Sequence, residues 1–336
     1  MKRYAIFLCL MRLATLKITM TVSAAISSDE PIILASRASQ LALAQAEEVQ
    51  SLLSPSPAEI ATFSTRGDEV LDRSLADIGG KGLFVKTLER AMLAGEADAA
   101  VHSSKDMETT FADGTSLVAF LPREDRRDAL IGAYASFDEL PQGAVVGTAS
   151  VRRAAIIKSI RPDLQPRLLR GNVNSRLAQL ADGKYDAIIL AMAGMRRLGF
   201  SQDIHPIEEA VMLPSSAQGA IAIQAVAADG TARRDAVIAA LSGLNHAQTS
   251  AEVRAERALL AALDGTCRTP IAAAAHLKGE NLTMRAQLLS LDGKQSFHAE
   301  GNASQDDGEK LGQMLGEELL EQAGGKEFIL AQEQGS

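Results

Sequence analysis

Apolar runs alternate with amphipathic stretches over the first two-thirds of the chain. The run Ile32–Ala35 predicts a buried strand, and Ser39 then begins a helix whose apolar residues recur at helical spacing until Pro55. Ala187–Ala193 is continuously apolar, which is typical of a strand buried on both faces. Because strands alternate with helices, this region predicts parallel sheets in an α/β fold. Further strands are predicted at Glu59–Thr65, Ala97–His102, Ala144–Gly147 and Arg167–Leu169, and further helices at Phe84–Ala94, Ser150–Ile160 and Asn174–Ala181.

The last third of the chain has a different pattern. Asp292-Gly293 separates two strand-like runs, and an Asp-Gly pair in that position indicates a hairpin. These features predict a small α+β domain. Its predicted elements are an Ala-rich helix capped by Thr249 or Ser250 and running to about Leu263, strands at Leu282–Leu289 and Gln295–Glu300, and a final helix at about Gly308–Gln322.

Composition narrows the class of protein. A chain of 336 residues with 46% hydrophobic and 23% charged residues is long enough for two or three soluble domains. Aromatic residues are scarce at 4% and the pI is near 5.3, so we expect no nucleic-acid partner. Two cysteines and five scattered histidines predict neither a disulfide framework nor a metal site, and they favour the reducing cytoplasm.

The amino-terminal residues 1–30 are left out of the predicted fold. Met1–Met20 is basic and free of acidic residues, and its apolar run is too short for a membrane span, so we expect no membrane association. The segment is either a leader or a start assigned too early, with Met20 as the first residue.

Basic residues concentrate between Thr148 and Arg176, although the net charge of the whole chain is −8. Arginine offers a planar charged fork that matches carboxylate or phosphate, so this segment predicts a pocket for a small, multiply anionic ligand. A solvated helix face is the alternative for each residue taken alone. Four of the arginines fall at predicted strand-to-helix junctions, where helix N-termini also attract anions. The basic residues are Arg152, Arg153, Lys158, Arg161, Arg167, Arg170 and Arg176, and Asp163 is the acid among them.

Val101–Asp106 places Lys105 and Asp106 at the carboxyl end of a predicted strand, where ligands of α/β proteins bind. A carboxylate beside a lysine can stabilise a cationic intermediate or move a proton. A helix-capping role for Asp106 is the alternative.

Two further segments carry candidate chemistry. Cys267 lies past a helix end and beside Arg268, which favours a reactive thiolate that acts as a nucleophile or a covalent anchor. An idle loop cysteine is the alternative. Gly79–Gly82 lacks the order of a phosphate-binding loop, so we expect either a mobile lid carrying Lys81 or a plain connector.

Short motifs run in order from about residue 31 to the C-terminus. They are Ala35–Ala42, Thr65–Asp68, Gly79–Phe84, Val101–Asp106, Arg123–Asp125, Val151–Arg153, Leu169–Val173, Tyr185–Ala191 and the loop around Cys267. None is decisive alone, but together they closely resemble the porphobilinogen deaminases, also called hydroxymethylbilane synthases.

The resemblance implies an α/β fold with two lobes like those of a periplasmic binding protein, parallel-rich sheets and two chain crossovers. A small α+β domain follows and carries the cysteine. We assign residues 31–121 and 220–242 to domain 1, residues 122–219 to domain 2 and residues 243–330 to domain 3.

The family joins four porphobilinogen molecules head to tail, releases ammonia at each addition and makes hydroxymethylbilane for porphyrin and haem biosynthesis. The resemblance implies a dipyrromethane cofactor bound to Cys267 by a thioether. Asp106 matches the catalytic aspartate, which assists loss of the aminomethyl nitrogen and stabilises the cationic azafulvene and the protonated pyrrole nitrogens. The resemblance further assigns cofactor binding to Asp106, Ser103, Lys105, Thr148, Ser150, Arg152, Arg153 and Arg170, and substrate binding to Arg37, Ser39, Lys81, Phe84, Arg170 and Arg176. It also suggests a monomer.

Some positions depart from the family pattern. Thr266 precedes Cys267 where relatives often have glycine, and Asp77 stands where a lysine is common. Met107-Glu108 replaces Val-Pro, and Arg126 replaces a frequent proline. None removes a residue that the chemistry requires.

Two other classes of protein remain open at this point. A non-catalytic two-lobed carboxylate-binding protein explains the arginines but not a third domain with one cysteine. A thiol-dependent transferase explains Cys267 and predicts a titratable thiol, whereas the deaminase predicts a blocked one.

Overall fold

The computed structural model describes residues 26–27, 29–64, 85–264 and 268–334. Three β-sheets organise this part of the chain, two with five strands and one with three. The strands are β1 (Ile32–Arg37), β2 (Ala58–Phe63), β3 (Ala99–Ser103), β4 (Thr115–Phe120), β5 (Asp128–Ile131), β6 (Val145–Thr148), β7 (Gln165–Leu168), β8 (Ala187–Ala191), β9 (Ile204–Pro206), β10 (Ile221–Val226), β11 (Ile271–Lys278), β12 (Asn281–Leu289) and β13 (Ser296–Ser304). The helices are α1 (Gln40–Leu52), α2 (Val85–Leu93), α3 (Val151–Ile160), α4 (Val173–Ala181), α5 (Met192–Arg197), α6 (Ala232–Ser242), α7 (Ala247–Leu263), α8 (Gly308–Gln322) and α9 (Lys326–Gln334).

The two five-stranded sheets share one topology and form the cores of lobe 1 and lobe 2. Their orders are β2-β1-β3-β10-β4 and β7-β6-β8-β5-β9. In each sheet the first three strands are parallel, and the last two add antiparallel pairings. The expected α/β class with two lobes and a small third domain is confirmed, and the antiparallel pairings were not predicted.

Two crossover segments join the lobes, as the resemblance implied. Residues 121–127 lead from β4 to β5, and residues 207–220 lead from β9 back to β10. The strand that follows each crossover is the one that pairs antiparallel with the parallel strands of its new lobe. The carboxyl ends of the parallel strands therefore lie close to the crossovers.

Most local predictions are confirmed because they rest on local forces. Ser39 caps α1, its Oγ accepting the Ala42 N–H at 3.3 Å. The strand predicted at Ala187–Ala193 ends two residues early, since Met192 begins α5. The start predicted for α7 is wrong: His246 is its N-cap, with Nδ1 accepting the Thr249 N–H at 3.3 Å.

The third domain packs α7 and α8 on one face of the sheet β11-β12-β13. A Cβ on Gly312 would stand 2.0 Å from the carbonyl oxygen of Ala255, so the two helices approach too closely there for any side chain. The predicted hairpin is confirmed, with Gly293 at φ +72°. Strand β11 was missed because its run of alanines has no strand-specific signal.

Residues outside the predicted fold boundaries also take part in packing. Ile26 is 4% exposed in the core of lobe 1, so leaving out all of residues 1–30 was wrong. Arg233 Nη1 further donates to the Glu30 carbonyl oxygen at 2.9 Å. Within the described ranges, no helix combines the length and apolar character needed to cross a membrane.

The departure at Arg126 has a structural consequence. Its Nη2 donates to Glu252 Oε2 of α7 at 2.6 Å, and its Nη1 donates to the Ala275 carbonyl oxygen of β11. Arg123 of the same crossover binds Glu256 of α7 with both Nη atoms, at 2.8 and 2.9 Å. The first crossover is therefore held to the third domain by buried ion pairs.

Candidate active site

The turn that follows β3 presents Lys105 and Asp106 at the edge of the sheet of lobe 1. Strand β3 ends at Ser103, and Ser104–Asp106 form one 3-10 turn. The Ser104 N–H donates to the Ala220 carbonyl oxygen at 3.0 Å, which fixes the turn against the second crossover. Asp106 ends this turn and is exposed, so its carboxylate is open to a ligand.

A small cleft lies beside this turn, between β3 and α1. It is lined by Arg37, Gln45, His102, Ser103 and Asp106, among others. Ser103 Oγ donates to Gln45 Oε1 at 2.9 Å. Burial lowers the pKa of His102 to about 4, so its imidazole is neutral at physiological pH. The cleft therefore brings Arg37 and Asp106, both predicted site residues, to one surface.

Lys105 is turned toward the second crossover. Its Nζ donates to Gln218 Oε1 at 3.1 Å. Burial and the nearby guanidinium of Arg153 lower the pKa of Lys105 to about 8, while Asp106 opposes the shift. The ammonium is therefore within electrostatic reach of groups from both lobes.

Arg152 and Arg153 are buried in lobe 2 on a carboxylate of their own protein. Arg152 Nη2 donates to Asp128 Oδ2 at 2.7 Å, and Arg153 Nη2 donates to Asp128 Oδ1 at 2.8 Å. The two guanidinium groups hold the pKa of Asp128 well below its usual range despite complete burial. Further donors reach the Leu213 and Ile189 carbonyl oxygens. Both arginines thus have structural partners already, and their predicted cofactor contact stays a prediction.

Arg170 and Arg176 come from the loop after β7 and the first turn of α4. Arg176 Nε donates to the Gly171 carbonyl oxygen at 2.7 Å. Burial, together with the charges of Arg153 and Arg170, lowers the pKa of Arg176 to about 10, whereas Asp106 opposes the shift. Cations of lobe 2 and the Asp106 turn of lobe 1 therefore share one electrostatic environment. Its excess positive charge fits a ligand with several carboxylates, such as dipyrromethane.

The predicted hydroxyl ligands make local hydrogen bonds. Ser150 Oγ accepts the Arg153 N–H at 3.4 Å and caps α3. Thr148 Oγ1 accepts the Ser150 N–H at 3.1 Å. These bonds, with that of Ser39 in α1, order the loops at the strand ends, and hydroxyl lone pairs remain for a ligand.

The basic stretch found in the sequence does not form a single group. Lys158 donates to the Leu291 carbonyl oxygen at 3.1 Å, and Arg161 pairs with Asp163 at 2.7 Å. Arg167 is exposed and donates to Gln165 at 3.1 Å. These three residues make contacts in the outer parts of lobe 2. The predicted pocket depended on Arg152, Arg153, Arg170 and Arg176 instead.

Several predicted residues lie outside the described ranges. They are Lys81, Phe84 and Cys267, with Thr65–Asp68, Asp77, the Gly79–Gly82 segment and Thr266. Two buried residues without a predicted role lie at the centre of the site, Asp128 and Gln218. Asp128 could have been suspected as an acid at the start of an apolar run, but no local pattern singles out Gln218.

Solved structures with similar folds are distant. The second substrate-binding domain of an amino acid ABC transporter from Streptococcus pneumoniae is 13% identical, with a TM-score of 0.39, and covers 64% of this chain and 93% of its own. The periplasmic VFT2 domain of Bordetella pertussis BvgS is 14% identical, with a TM-score of 0.34, and covers 63% of this chain and 86% of its own.

Similarity in sequence is far stronger. A family model described as the dipyrromethane cofactor binding domain of porphobilinogen deaminase matches residues 32–234, and the family's C-terminal domain matches residues 250–321. Porphobilinogen deaminases from Nitrobacter hamburgensis and Nitrobacter winogradskyi are 45% and 44% identical over 315 residues, which is 90% of this chain and 98% of each relative. These matches favour the enzyme over a carboxylate-binding receptor. The chain belongs to the porphobilinogen deaminase family.

Proposed function

We propose that the protein catalyses the reaction of its family, the head-to-tail condensation of four porphobilinogen molecules to hydroxymethylbilane with release of ammonia. The observation that carries this proposal is that Lys105 of lobe 1 and Arg153 of lobe 2 both face Gln218 Oε1, at 3.1 and 3.5 Å, and that Asp106 of lobe 1 acts electrostatically on Arg176 of lobe 2. Porphobilinogen bears acetate and propionate groups, so a growing chain accumulates carboxylates that such a cationic surface binds.

Asp106 is the proposed catalytic residue. Each addition breaks the bond between the aminomethyl carbon and nitrogen, forms a carbon–carbon bond and releases one proton from the attacked pyrrole carbon. An exposed carboxylate at the end of the β3 turn can stabilise the positive charge that develops as ammonia leaves. It can then accept the proton that the new bond displaces.

The other proposed site residues bind and orient the cofactor and the substrate. The dipyrromethane cofactor supplies the pyrrole end to which the first porphobilinogen is joined, and we propose that Cys267 holds it. The cations of both lobes would hold its carboxylates. The proposed cofactor-binding residues are Cys267, Ser103, Lys105, Asp106, Thr148, Ser150, Arg152, Arg153 and Arg170, and the proposed substrate-binding residues are Arg37, Ser39, Lys81, Phe84, Arg170 and Arg176.

We further propose that residues 31–121 with 220–242 form domain 1, residues 122–219 domain 2 and residues 243–330 domain 3. The membership of the three sheets supports this division, and α9 extends domain 3 to Gln334. A monomer in the cytoplasm is the proposed working state.

Mass spectrometry of the intact protein tests the proposal. We expect a mass excess equal to two linked pyrrole units, and peptide mapping should locate it on Cys267. When the protein is produced with its full sequence, Cys9 serves as an internal control that stays unmodified. If Cys267 is free, incubation with porphobilinogen should add the adduct. A thiol that remains titratable after that incubation would contradict the proposed function.

A further inference from the structure

Gln218 stands between the two lobes, in the second crossover. It is 1% exposed, and its neighbours Ala217 and Gly219 both have left-handed backbones, at φ +59° and +90°. A Cβ on Gly219 would stand 2.4 Å from the Glu124 carbonyl oxygen, so the two crossovers touch here. Arg123 Nε also donates to the Gln218 carbonyl oxygen at 2.8 Å. This close packing fixes the direction of the Gln218 side chain.

The Gln218 amide uses both of its ends. Its Oε1 accepts Lys105 Nζ at 3.1 Å and lies 3.5 Å from Arg153 Nη2. Its Nε2 donates to Asp128 Oδ1 at 2.8 Å and to the Arg126 carbonyl oxygen at 2.8 Å. A single buried amide therefore connects the lysine beside Asp106 to the buried carboxylate of lobe 2 that holds Arg152 and Arg153.

We propose that Gln218 is a positioning residue for the reaction. Its amide holds the Lys105 ammonium, and with it the Asp106 turn, at a fixed position relative to the arginines of lobe 2. This inference rests on the proposed function, because the fixed position of Lys105 relative to lobe 2 is taken to serve the condensation. An amide suits the task, since it accepts from the ammonium and donates to the carboxylate at the same time, without adding a charge.

The charges that face Lys105 come from each element around it. Asp106 belongs to its own turn, Asp128 to β5, and Arg152 and Arg153 to α3. Gln218 contributes a neutral acceptor to the ammonium. Hydrogen bonds to charged groups are strong enough that losing this acceptor should lower the pKa of Lys105 by about one pH unit.

Two substitutions of Gln218, with opposite expected effects on the pKa of Lys105, test the hydrogen bond between these residues. Gln218→Met keeps the length of the side chain and removes the acceptor, so the pKa of Lys105 should fall. Gln218→Glu keeps an acceptor and adds negative charge beside the ammonium, so the pKa should rise. Competitive acetylation of the purified protein, quantified by peptide mass spectrometry over a pH series, reports the pKa of each lysine. At pH 7.5, Lys105 of Gln218→Met should react roughly three times faster than in the wild type.

Gln224→Met is the matched control, because Gln224 is a fully buried glutamine of the adjoining β10 whose amide donates to Glu89 and Thr115. It should leave the labelling of Lys105 unchanged. If Gln218→Met fails to fold, the rise in the pKa of Lys105 that is expected in Gln218→Glu still tests the inference. An unchanged pKa of Lys105 in the folded Gln218 variants overturns the inference.

Turnover separates this inference from the proposed function. We expect kcat for porphobilinogen consumption to fall about 10- to 100-fold in Gln218→Met, with a smaller change in KM. If the wild-type protein consumes no porphobilinogen, the proposed function fails while the labelling result can still be read. If the wild type is active and Gln218→Met matches it, the positioning role is wrong.

Discussion

Replacing Asp128 with asparagine should destabilise lobe 2 severely. The carboxylate is fully buried and receives donors from Arg152, Arg153 and Gln218 at 2.7 to 3.0 Å. Asparagine has nearly the same volume, so no cavity forms. Among the described contacts, the substitution removes the carboxylate that pairs with Arg152 and Arg153. It also places an amide NH₂ at the position of Asp128 Oδ2, which accepts from Arg152 Nη2 at 2.7 Å. Removing one partner of a buried ion pair costs about 3–5 kcal/mol, a large share of a typical unfolding free energy.

Urea unfolding followed by circular dichroism measures the loss, since the chain has no tryptophan. Because several domains need not unfold together, hydrogen–deuterium exchange of β5, β6 and β8 should report the change in lobe 2 itself. Asp163→Asn is the control: it removes the partner of Arg161 in a solvent-facing pair and should leave the unfolding midpoint unchanged. A loss below about 1 kcal/mol in Asp128→Asn would refute the argument, because the two arginines would then not depend on this carboxylate.

The same substitution has a pH signature. The pKa of Asp128 is held well below its usual value in the folded protein, so its stabilising effect is complete above the unfolded pKa near 4. The effect is lost as the pH falls toward the folded pKa. The difference in stability between wild type and variant should therefore shrink on acidification below about pH 4.

The remaining predictions concern turnover. Asp106→Asn should lower kcat at least about 100-fold while the unfolding midpoint stays the same, because the side chain is exposed; unchanged porphobilinogen consumption would remove its assigned role. Wild-type activity should fall as the pH rises through about 8, where Lys105 loses its proton, and Lys105→Arg should abolish that fall in a pH–rate profile. Arg176→Leu should raise KM about tenfold or more by removing a carboxylate partner, and an effect confined to kcat would contradict this reading.

Elements that depend on local forces could be predicted from the sequence. The Ser39 cap, the β8 core strand and the hairpin at Gly293 each follow from neighbouring residues. The short strands β5 and β10 could not be predicted, because each exists only through pairing with a strand of the lobe that the chain has just entered. Their pairing partners lie about 60 and 120 residues away, beyond the reach of any periodicity.

The same distinction between local and long-range contacts applies to the candidate site. The position of Asp106 follows from a strand end, which is a local feature. The surroundings of Arg152 and Arg153 do not, because Asp128 comes from a strand more than twenty residues earlier. An arginine at the start of a helix looks the same in a sequence whether it faces a ligand or a buried carboxylate. Gln218 is harder still, since its partner Lys105 is 113 residues away.

In the proposed function, the buried arginines would contribute to anion binding through their charge. Asp128 neutralises only one of the two guanidinium groups, so the cluster keeps a net positive charge that acts on Lys105. Arg153 accordingly lowers the pKa of both Lys105 and Arg176, across the lobe boundary and within lobe 2. A polycarboxylate bound near these residues would relieve this repulsion whether or not it also touches either buried side chain. The affinity of the site for carboxylates should therefore depend on Arg153 even where no hydrogen bond joins it to the ligand, and it should weaken with ionic strength less than a surface patch does, because buried charges are poorly screened.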